Sequence, residues 1–235
     1  MTTIHQQRYT LLSPLGQGNN GKVFLALDSS GKHVAIKQPL KGDLKYERSL
    51  LLHIHKHEPL SGVPRLLDTV VFPSQSKKMS LVLEYVEGAC MRNIAGASLP
   101  LSSVIAAITE AISILAHLHA RGVIHNDLHN KNILMDKSGH IHILDFGHSL
   151  ILDPSCIRKQ FPSDLLSLIW LVESWINSLP QEVDSPLKHT LAAWLNTTSH
   201  RLCEQVTPPE NASSLLSKWQ NALHQAITQH TLSGC

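Results

Sequence analysis

The sequence predicts an α+β fold, strands first and helices afterwards, and three observations carry that reading. Short apolar runs separated by turn residues fill the chain as far as Val86. The Glu87-Gly88 pair breaks the last of these runs, and from Leu101 onward the apolar residues recur at three- and four-residue steps. A block of strands followed by a block of helices describes the α+β class.

Taken in order, residues 8–15 and 22–27 flank a glycine-rich turn, and residues 33–37 follow the turn Ser29-Ser30-Gly31, which makes a three-stranded meander. Between Asp43 and His57 the period changes: Leu44, Leu50, Leu51 and Ile54 fall at helical steps, and Pro59 with Gly62 ends the pattern. One helix is therefore inserted in the sheet. Residues 70–72 and 80–85 resume as strands on either side of a polar turn at 73–78. Ser102 or Ser103 caps a long helix whose apolar stripe includes Val104, Ile105, Ile108, Ile112, Leu115 and Leu118, and which ends near Arg121-Gly122. Two short strands, 133–135 and 140–144, meet at the turn 136–139. Residues 163–179 are nearly apolar and read as a buried helix closed by Pro180. Residues 187–195 and 212–227 suggest two more helices around the loop Thr207-Pro208-Pro209. Trp170, Trp175, Trp194 and Trp219 lie among aliphatics at helical positions, where core packing is the default.

At 235 residues the chain holds one large domain or a pair of tightly joined lobes, with no second independent module. The formal net charge is +2 and like charges form no long block, which gives no nucleic-acid footprint, acidic tail or membrane-surface role. No apolar run reaches the roughly 18 residues a membrane span needs, and the opening MTTIHQQRYT lacks the apolar stretch of a secretory signal. A cytoplasmic protein is the expectation. Cys90, Cys156, Cys203 and Cys235 lack CxxC spacing, so a zinc knuckle, a redox pair and a disulfide framework are not expected. His53 and His57 stand at i, i+4 spacing around His55 but have no acidic or cysteine partner nearby, so structural or solvent-facing roles are expected, as at His140 and His142.

Gly16-Gln17-Gly18-Asn19-Asn20-Gly21 is a GxGxxG segment, in which glycine lets backbone N–H groups approach a polyphosphate without side-chain obstruction. A dinucleotide-binding fingerprint needs these glycines to open a helix, whereas residues 22–27 read as a strand, so a hairpin lid over phosphates fits better. Fourteen residues after Val23, the run Val34-Ala35-Ile36-Lys37 ends an apolar strand on a lysine. Its companion acid is Glu47, on the inserted helix whose Leu50, Leu51 and Ile54 face the core; Glu58, beside Pro59, is the poorer candidate. Glycine loop, strand lysine and helix glutamate together resemble the protein kinase family, although the interval from Lys37 to Glu47 is shorter than is usual there. Residues 81–88, LVLEYVEG, look like that family's hinge between lobes. The resemblance implies that the Glu84 carbonyl and Val86 N–H hold adenine, with Leu83 as gatekeeper.

The strongest signal is His125-Asn126-Asp127-Leu128-His129-Asn130-Lys131-Asn132, with Asp145-Phe146-Gly147 beginning thirteen residues after Asn132. Phosphoryl transfer needs a carboxylate to orient or deprotonate the acceptor hydroxyl, and oxygen ligands for Mg²⁺ that neutralise phosphate charge. Asp127 serves the acceptor in this reading, and Asn132 and Asp145 supply the metal ligands. The resemblance runs in order from residue 9 to about 176. It implies one bilobal kinase-like domain, with a β-rich lobe over residues 1–87 and a mainly helical lobe over 88–235. It further implies ATP and Mg²⁺ as cofactors, Lys37 on the α- and β-phosphates, Gly16, Gln17, Gly18 and Gly21 over the phosphates, and Val23, Ala35 and Leu134 beside the nucleotide.

Departures from the family pattern refine the expectation. Asn126 stands where an arginine is usual, which removes the partner of an activation-loop phosphate, so phosphorylation-dependent switching is not expected. His129 stands where a lysine is usual, giving the DLHxxN form familiar in the aminoglycoside and choline kinase branch and leaving a weaker cation near the transferred group. The complete DFG and the glycine loop point back to protein kinases. Residues 161–168 resemble the family's buried helix, whose aspartate braces the catalytic loop; Asp164 has that role or caps a helix. Residues 148–161 then remain for an activation segment, without an APE motif. Comparable truncation is found in minimal kinases secreted by bacterial pathogens and in small kinases associated with tRNA modification. The expectation is a minimal, eukaryotic-like, constitutively active Ser/Thr protein kinase. A small-molecule kinase and a nucleotide-binding pseudokinase are the alternatives. The expected partner is a protein substrate, a host protein if the chain is a secreted effector, and neither nucleic acid nor membrane.

Overall fold

A computed structural model describes residues 8–18, 21–72, 76–94, 99–152, 154–177 and 186–204, and further along residues 214, 217–222, 224 and 225. Asn19-Asn20 of the glycine loop, residues 73–75 of the polar turn, Pro180, the Thr207-Pro208-Pro209 loop and Cys235 lie outside the described residues. The chain divides into two compact units: Met1–Glu87 together with Asp145–Gly147, and Gly88–Leu144 together with His148–Cys235.

The first unit is built on an antiparallel sheet of β1 (Tyr9–Gln17), β2 (Gly21–Asp28), β3 (His33–Pro39), β4 (Leu66–Phe72) and β5 (Ser76–Glu84), in the order β1-β2-β3-β5-β4. Helix α1 (Lys45–Ile54) interrupts the chain between β3 and β4. Strand alternation sends Ala26, Val34, Ile36, Val70, Phe72 and Val82 into one buried cluster, with Tyr9 and Leu11 packed against it. Val23 pairs with Lys37 and Lys37 with Leu81, while Ala35 pairs with Leu83, so Val23, Ala35, Lys37 and Leu83 share the opposite face.

The sheet curls far enough for its first and last strands to touch. The Tyr9 hydroxyl donates to Asp68 Oδ2 at 2.9 Å, and Arg8 lies 3.1 Å from the same oxygen. Burial, then the hydrogen bond and charge of Asp68, push the Tyr9 phenol up to about 12. Tyr9→Phe keeps the ring in the cluster and removes this bond. Urea denaturation is expected to show a loss of about 1 kcal/mol; an unchanged midpoint would mean that packing alone holds the curl.

Among its described residues the second unit has the long helices α3 (Leu101–Ala120), α4 (Pro154–Asn177) and α5 (Pro186–Glu204), the short helix α2 (Met91–Ile94), and helical residues at 214, 217–222, 224 and 225. Strands β6 (Gly88–Cys90), β8 (Ile133–Asp136) and β9 (Ile141–Ile143) form one small sheet, and β7 (Val123–Ile124) pairs with β10 (Leu150–Ile151) in another. β6, β7 and β10 escape a reading by period because two or three residues show none. Gly88, read as a breaker, opens β6: a Cβ there would collide with the Met135 carbonyl oxygen and lie 2.8 Å from Asp136 Cα.

Four expectations are corrected here. α3 begins at Leu101 with Pro100 at its N-cap and no capping side chain; Ser103 instead donates its backbone N–H to the Pro100 carbonyl at 3.0 Å. By length and composition α3 is apolar enough to cross a membrane, because its scattered Ser, Thr, Glu and His interrupt the run without lowering the average far. Half of the helix is buried in the second unit, Ile108, Ile112, Leu115 and Leu118 among the residues concerned, and the Trp219 indole donates to Thr109 Oγ1 at 2.8 Å, as suits a core helix. α4 begins at Pro154, ahead of the apolar stretch by which it was recognised, and Pro162 falls within it. Trp170 is 56% exposed, since the buried face of α4 runs through Leu165, Leu168, Ile169, Val172 and Ile176 and leaves position 170 outside.

Candidate active site

In the first unit the candidate residues gather around Lys37, which is buried with Nζ 2.7 Å from Glu47 Oε1 and 2.7 Å from Asp145 Oδ1. α1 presents Glu47 because its first turn puts that residue on the face of Leu50, Leu51 and Ile54, all buried. Burial pulls the Lys37 ammonium down, but the two carboxylates outweigh it and hold the group above its ordinary value. Glu47 is pushed up by burial, which the Lys37 charge only partly offsets. Its Oε2 is buried without a hydrogen bond, although the nearby Phe146 backbone N–H pulls the carboxyl down slightly. Asp145 adopts φ +61°, uncommon for a residue with a side chain, and the Gly147 N–H donates back to its Oδ1 at 3.2 Å.

The glycine hairpin belongs to the same unit. Gly16 pairs with Val23 and Gln17 with Lys22 across β1 and β2, and the Gly18 N–H closes on the Gly21 carbonyl at 2.9 Å. A Cβ at Gly21 would stand 3.0 Å from the Gln38 carbonyl and 3.3 Å from Lys37 Cε, so a side chain there would press on β3 and on the lysine stem. At Gly16 and Gly18 a Cβ would meet no atom of the described residues within 4 Å beyond the chain neighbours.

At the end of β5, Glu84 receives a fork from Arg65, with Nε and Nη2 each at 3.2 Å, while its own N–H donates to the Arg65 carbonyl at 2.9 Å. The next residue, Tyr85, meets His33 edge-on with centroids 5.8 Å apart, and half-buried Val86 follows. Arg65 and His33 thus fix Glu84 and Tyr85 from two sides.

In the second unit the loop His125–Asn132 carries the other candidates. His125 Nε2 donates to the Leu144 carbonyl at 3.0 Å while its Nδ1 accepts the Asp127 N–H at 3.3 Å, which assigns the tautomer. Asn132 Nδ2 donates to the Asp127 carbonyl at 2.9 Å and approaches Asp127 Oδ2 at 3.4 Å, so the amide nitrogen and not the oxygen serves Asp127. His129 Nε2 stands 3.7 Å from Asp127 Oδ2. Leu134 lies in β8, paired with Cys90 and His142. Asp164, at 1% exposure, accepts from His119 Nε2 at 3.1 Å and from the backbone N–H groups of His125 at 2.7 Å and Asn126 at 2.8 Å. It sits inside α4, so the capping alternative is excluded. Burial alone would raise its carboxyl; the His119 bond and charge, the His125 charge and the Asn126 N–H outweigh that and hold it below the ordinary value.

A protein kinase domain model matches residues 9–164, which takes in the glycine hairpin, Lys37, Glu47, the His125–Asn132 loop, Asp145 and Asp164. The chain belongs to the protein kinase domain family. It is 33% identical over 159 residues to the serine/threonine-protein kinase pakA of Talaromyces marneffei, covering 66% of this chain and 24% of that protein. It is 36% identical over 149 residues to the NUAK family SNF1-like kinase 2 of Rattus norvegicus, 61% of this chain and 24% of the relative. With the serine/threonine-protein kinase ste20 of Aspergillus oryzae it shares 33% identity over 157 residues, 65% of this chain and 18% of the relative. The match therefore spans about a quarter or less of the length of these relatives.

This kinase domain has a shorter link after Asp145-Phe146-Gly147 than the sequence suggested. Because α4 starts at Pro154, residues 148–153 are all that separate it from Gly147, in place of the expected 148–161. The link is tied to the catalytic loop within the second unit. Asn126 Nδ2 donates to the His148 carbonyl at 3.2 Å, Ser149 Oγ to the His125 carbonyl at 3.0 Å, and the Leu152 N–H to the Gly122 carbonyl at 2.9 Å. Asn126, at φ +61°, is one of the few residue types that tolerate the left-handed region, which suits asparagine better than the arginine usual there.

Sequence reasoning did not single out Arg65, His33, His119 or the loop contact of Trp175. Arg65 and His33 carry no local signal, His119 reads as one more helix residue, and an indole that packs looks the same as one that also donates. Among the described residues no cluster of three or more His, Cys, Asp or Glu is placed to hold a metal, and His55 Nδ1 instead accepts the Leu60 N–H at 3.1 Å.

Proposed function

We propose that this kinase domain transfers the γ-phosphoryl group of ATP to a serine or threonine hydroxyl of a protein, without needing an activating phosphate. The observation that carries the proposal is the Lys37 ammonium held 2.7 Å from Glu47 and from Asp145, a charged amine on the sheet face it shares with Val23, Ala35 and Leu83. The residues suit the implied cofactors. Among the described residues nothing would meet a side chain at Gly16 or Gly18, which leaves their backbone open to the close approach of a phosphate. Asn132 spends its amide hydrogens on Asp127 and keeps an oxygen, and Asp145 contributes carboxylate oxygens, a hard donor set of the kind Mg²⁺ takes.

When bound, Mg²⁺ supplies neutralisation of phosphate charge. Lys37 holds the α- and β-phosphates, and the hairpin N–H groups cover them. Asp127 orients the acceptor hydroxyl and takes its proton as the hydroxyl oxygen bonds to the γ-phosphorus; the bond to the β,γ-bridging oxygen breaks and ADP leaves. Constitutive activity is supported by Asn126, which spends its side chain on the His148 carbonyl and offers no cation to a phosphate. Relatives described as serine/threonine-protein kinases support the protein acceptor.

The DLHxxN form that His129 gives the loop leaves a second reading, a kinase for small molecules, which the serine/threonine-protein kinase relatives do not favour. The two are separated by γ-labelled ATP in a cell lysate, with Asp145→Ala as control. Label in protein that depends on Asp145 is expected; label confined to metabolites would move the acceptor to the second reading, and equal labelling by both forms would refute the enzyme.

A further inference from the structure

Trp175 was read as core, and at 1% exposure it is core. Its Nε1 also donates to Asn130 Oδ1 at 2.7 Å. An indole N–H can only donate, so the amide oxygen must face it and the orientation of Asn130 is settled by chemistry. The backbone of the same residue is held as well: its carbonyl accepts from Cys90 Sγ at 2.9 Å and from the Arg92 N–H at 3.2 Å. Three elements of the second unit, α4, β6 and α2, therefore converge on one residue of the catalytic loop.

That residue occupies a sensitive place. The Asn132 N–H donates to the His129 carbonyl at 2.8 Å, closing a turn in which Asn130 is the first central residue. Inside the turn the Lys131 N–H donates to His129 Nδ1 at 3.2 Å. Rotation of Asn130 would swing His129 and Asn132 together, and Asn132 is what holds the Asp127 carbonyl at 2.9 Å. Releasing the indole would leave a buried N–H without a partner, a cost that keeps the grip closed.

We infer that Trp175 is a positioning residue for phosphoryl transfer, acting through Asn130 to set the turn that carries Asn132 and braces Asp127. This rests on the kinase reading above. The sequence feature behind it is a polar side chain at position 130, able to accept from the helix beneath.

The test is steady-state ADP release from Mg·ATP with casein present, on wild type, Trp175→Phe, Asn130→Ala and the double variant. Phenylalanine removes the donor and keeps an aromatic ring, but leaves a cavity where the rest of the indole packed, so the thermal midpoint of each variant is measured beside its kinetics. Each single variant is expected to lower kcat roughly tenfold, the scale of a small misplacement of catalytic groups, with KM for ATP within about twofold of wild type. The double variant is expected to be no worse than either single, since both remove one bond. Wild-type kcat in Trp175→Phe, additive losses, or a loss carried by KM would overturn the inference while leaving the kinase reading intact. Should Trp175→Phe fail to fold, Asn130→Ala, on a half-buried loop position, decides by the same kcat-against-KM split. No ADP release and no Mg·ATP-dependent thermal shift in wild type would overturn the kinase reading, and this inference with it.

Discussion

Asparagine in place of Asp127 is expected to lower phosphoryl transfer by about 10²- to 10⁴-fold, the usual contribution of a positioned acid–base group. Mg·ATP affinity is expected to stay near that of wild type. The change is nearly isosteric, and the contact that shapes the loop survives it: Asn132 Nδ2 bonds to the Asp127 backbone carbonyl at 2.9 Å. Only the carboxylate proposed to receive the acceptor's proton is lost. Single-turnover kinetics with labelled ATP and calorimetric titration of nucleotide separate the two quantities. Transfer at wild-type rate would remove Asp127 from the reaction, and a parallel loss of nucleotide affinity would mean that it supports the loop and not the chemistry.

Asp164→Ala is expected to have the largest effect on stability, about 3–5 kcal/mol, because it strands groups that are already buried. His119 Nε2 and the backbone N–H groups of His125 and Asn126 all lose their acceptor together. The same carboxylate shapes the acid limb. Its folded pKa lies below the ordinary 3.8, so the unfolded chain takes the proton first. The stability it lends is complete above that value and is lost as pH falls through the folded value. Chemical denaturation of wild type across the acid range is expected to show this loss, and Asp164→Ala to show a flatter limb from a lower plateau. Equal slopes would assign acid sensitivity to other carboxylates.

Much of this fold can be read from the sequence because its signals are periodic. The face carrying Leu50, Leu51 and Ile54 fixes where Glu47 points, and the resulting 2.7 Å contact with Lys37 needs no longer interval between them. Strand alternation alone separates Lys37 and Ala35 from Val34 and Ile36. Other features have no period to show. Strands of two or three residues such as β7 and β10 are set by tertiary pairing, and the start of α4 lies in a stretch without an apolar stripe. Asp164 was ambiguous between cap and brace because both roles ask for the same carboxylate; only its distance from the helix end decides. The Tyr9–Asp68 bond joins residues 59 apart on the two outermost strands, and no local pattern announces a contact created by the curl of the whole sheet.

The central claim is that the amine, the oxygen donors and the carboxylate of this chain move a phosphoryl group. Its most direct test compares phosphorylated species, by mass spectrometry, after wild-type or Lys37→Met protein is incubated with Mg·ATP and a dephosphorylated lysate. Phosphoserine and phosphothreonine appearing with wild type and absent with Lys37→Met is the predicted result. Identical phosphopeptide and metabolite profiles for the two proteins would contradict it.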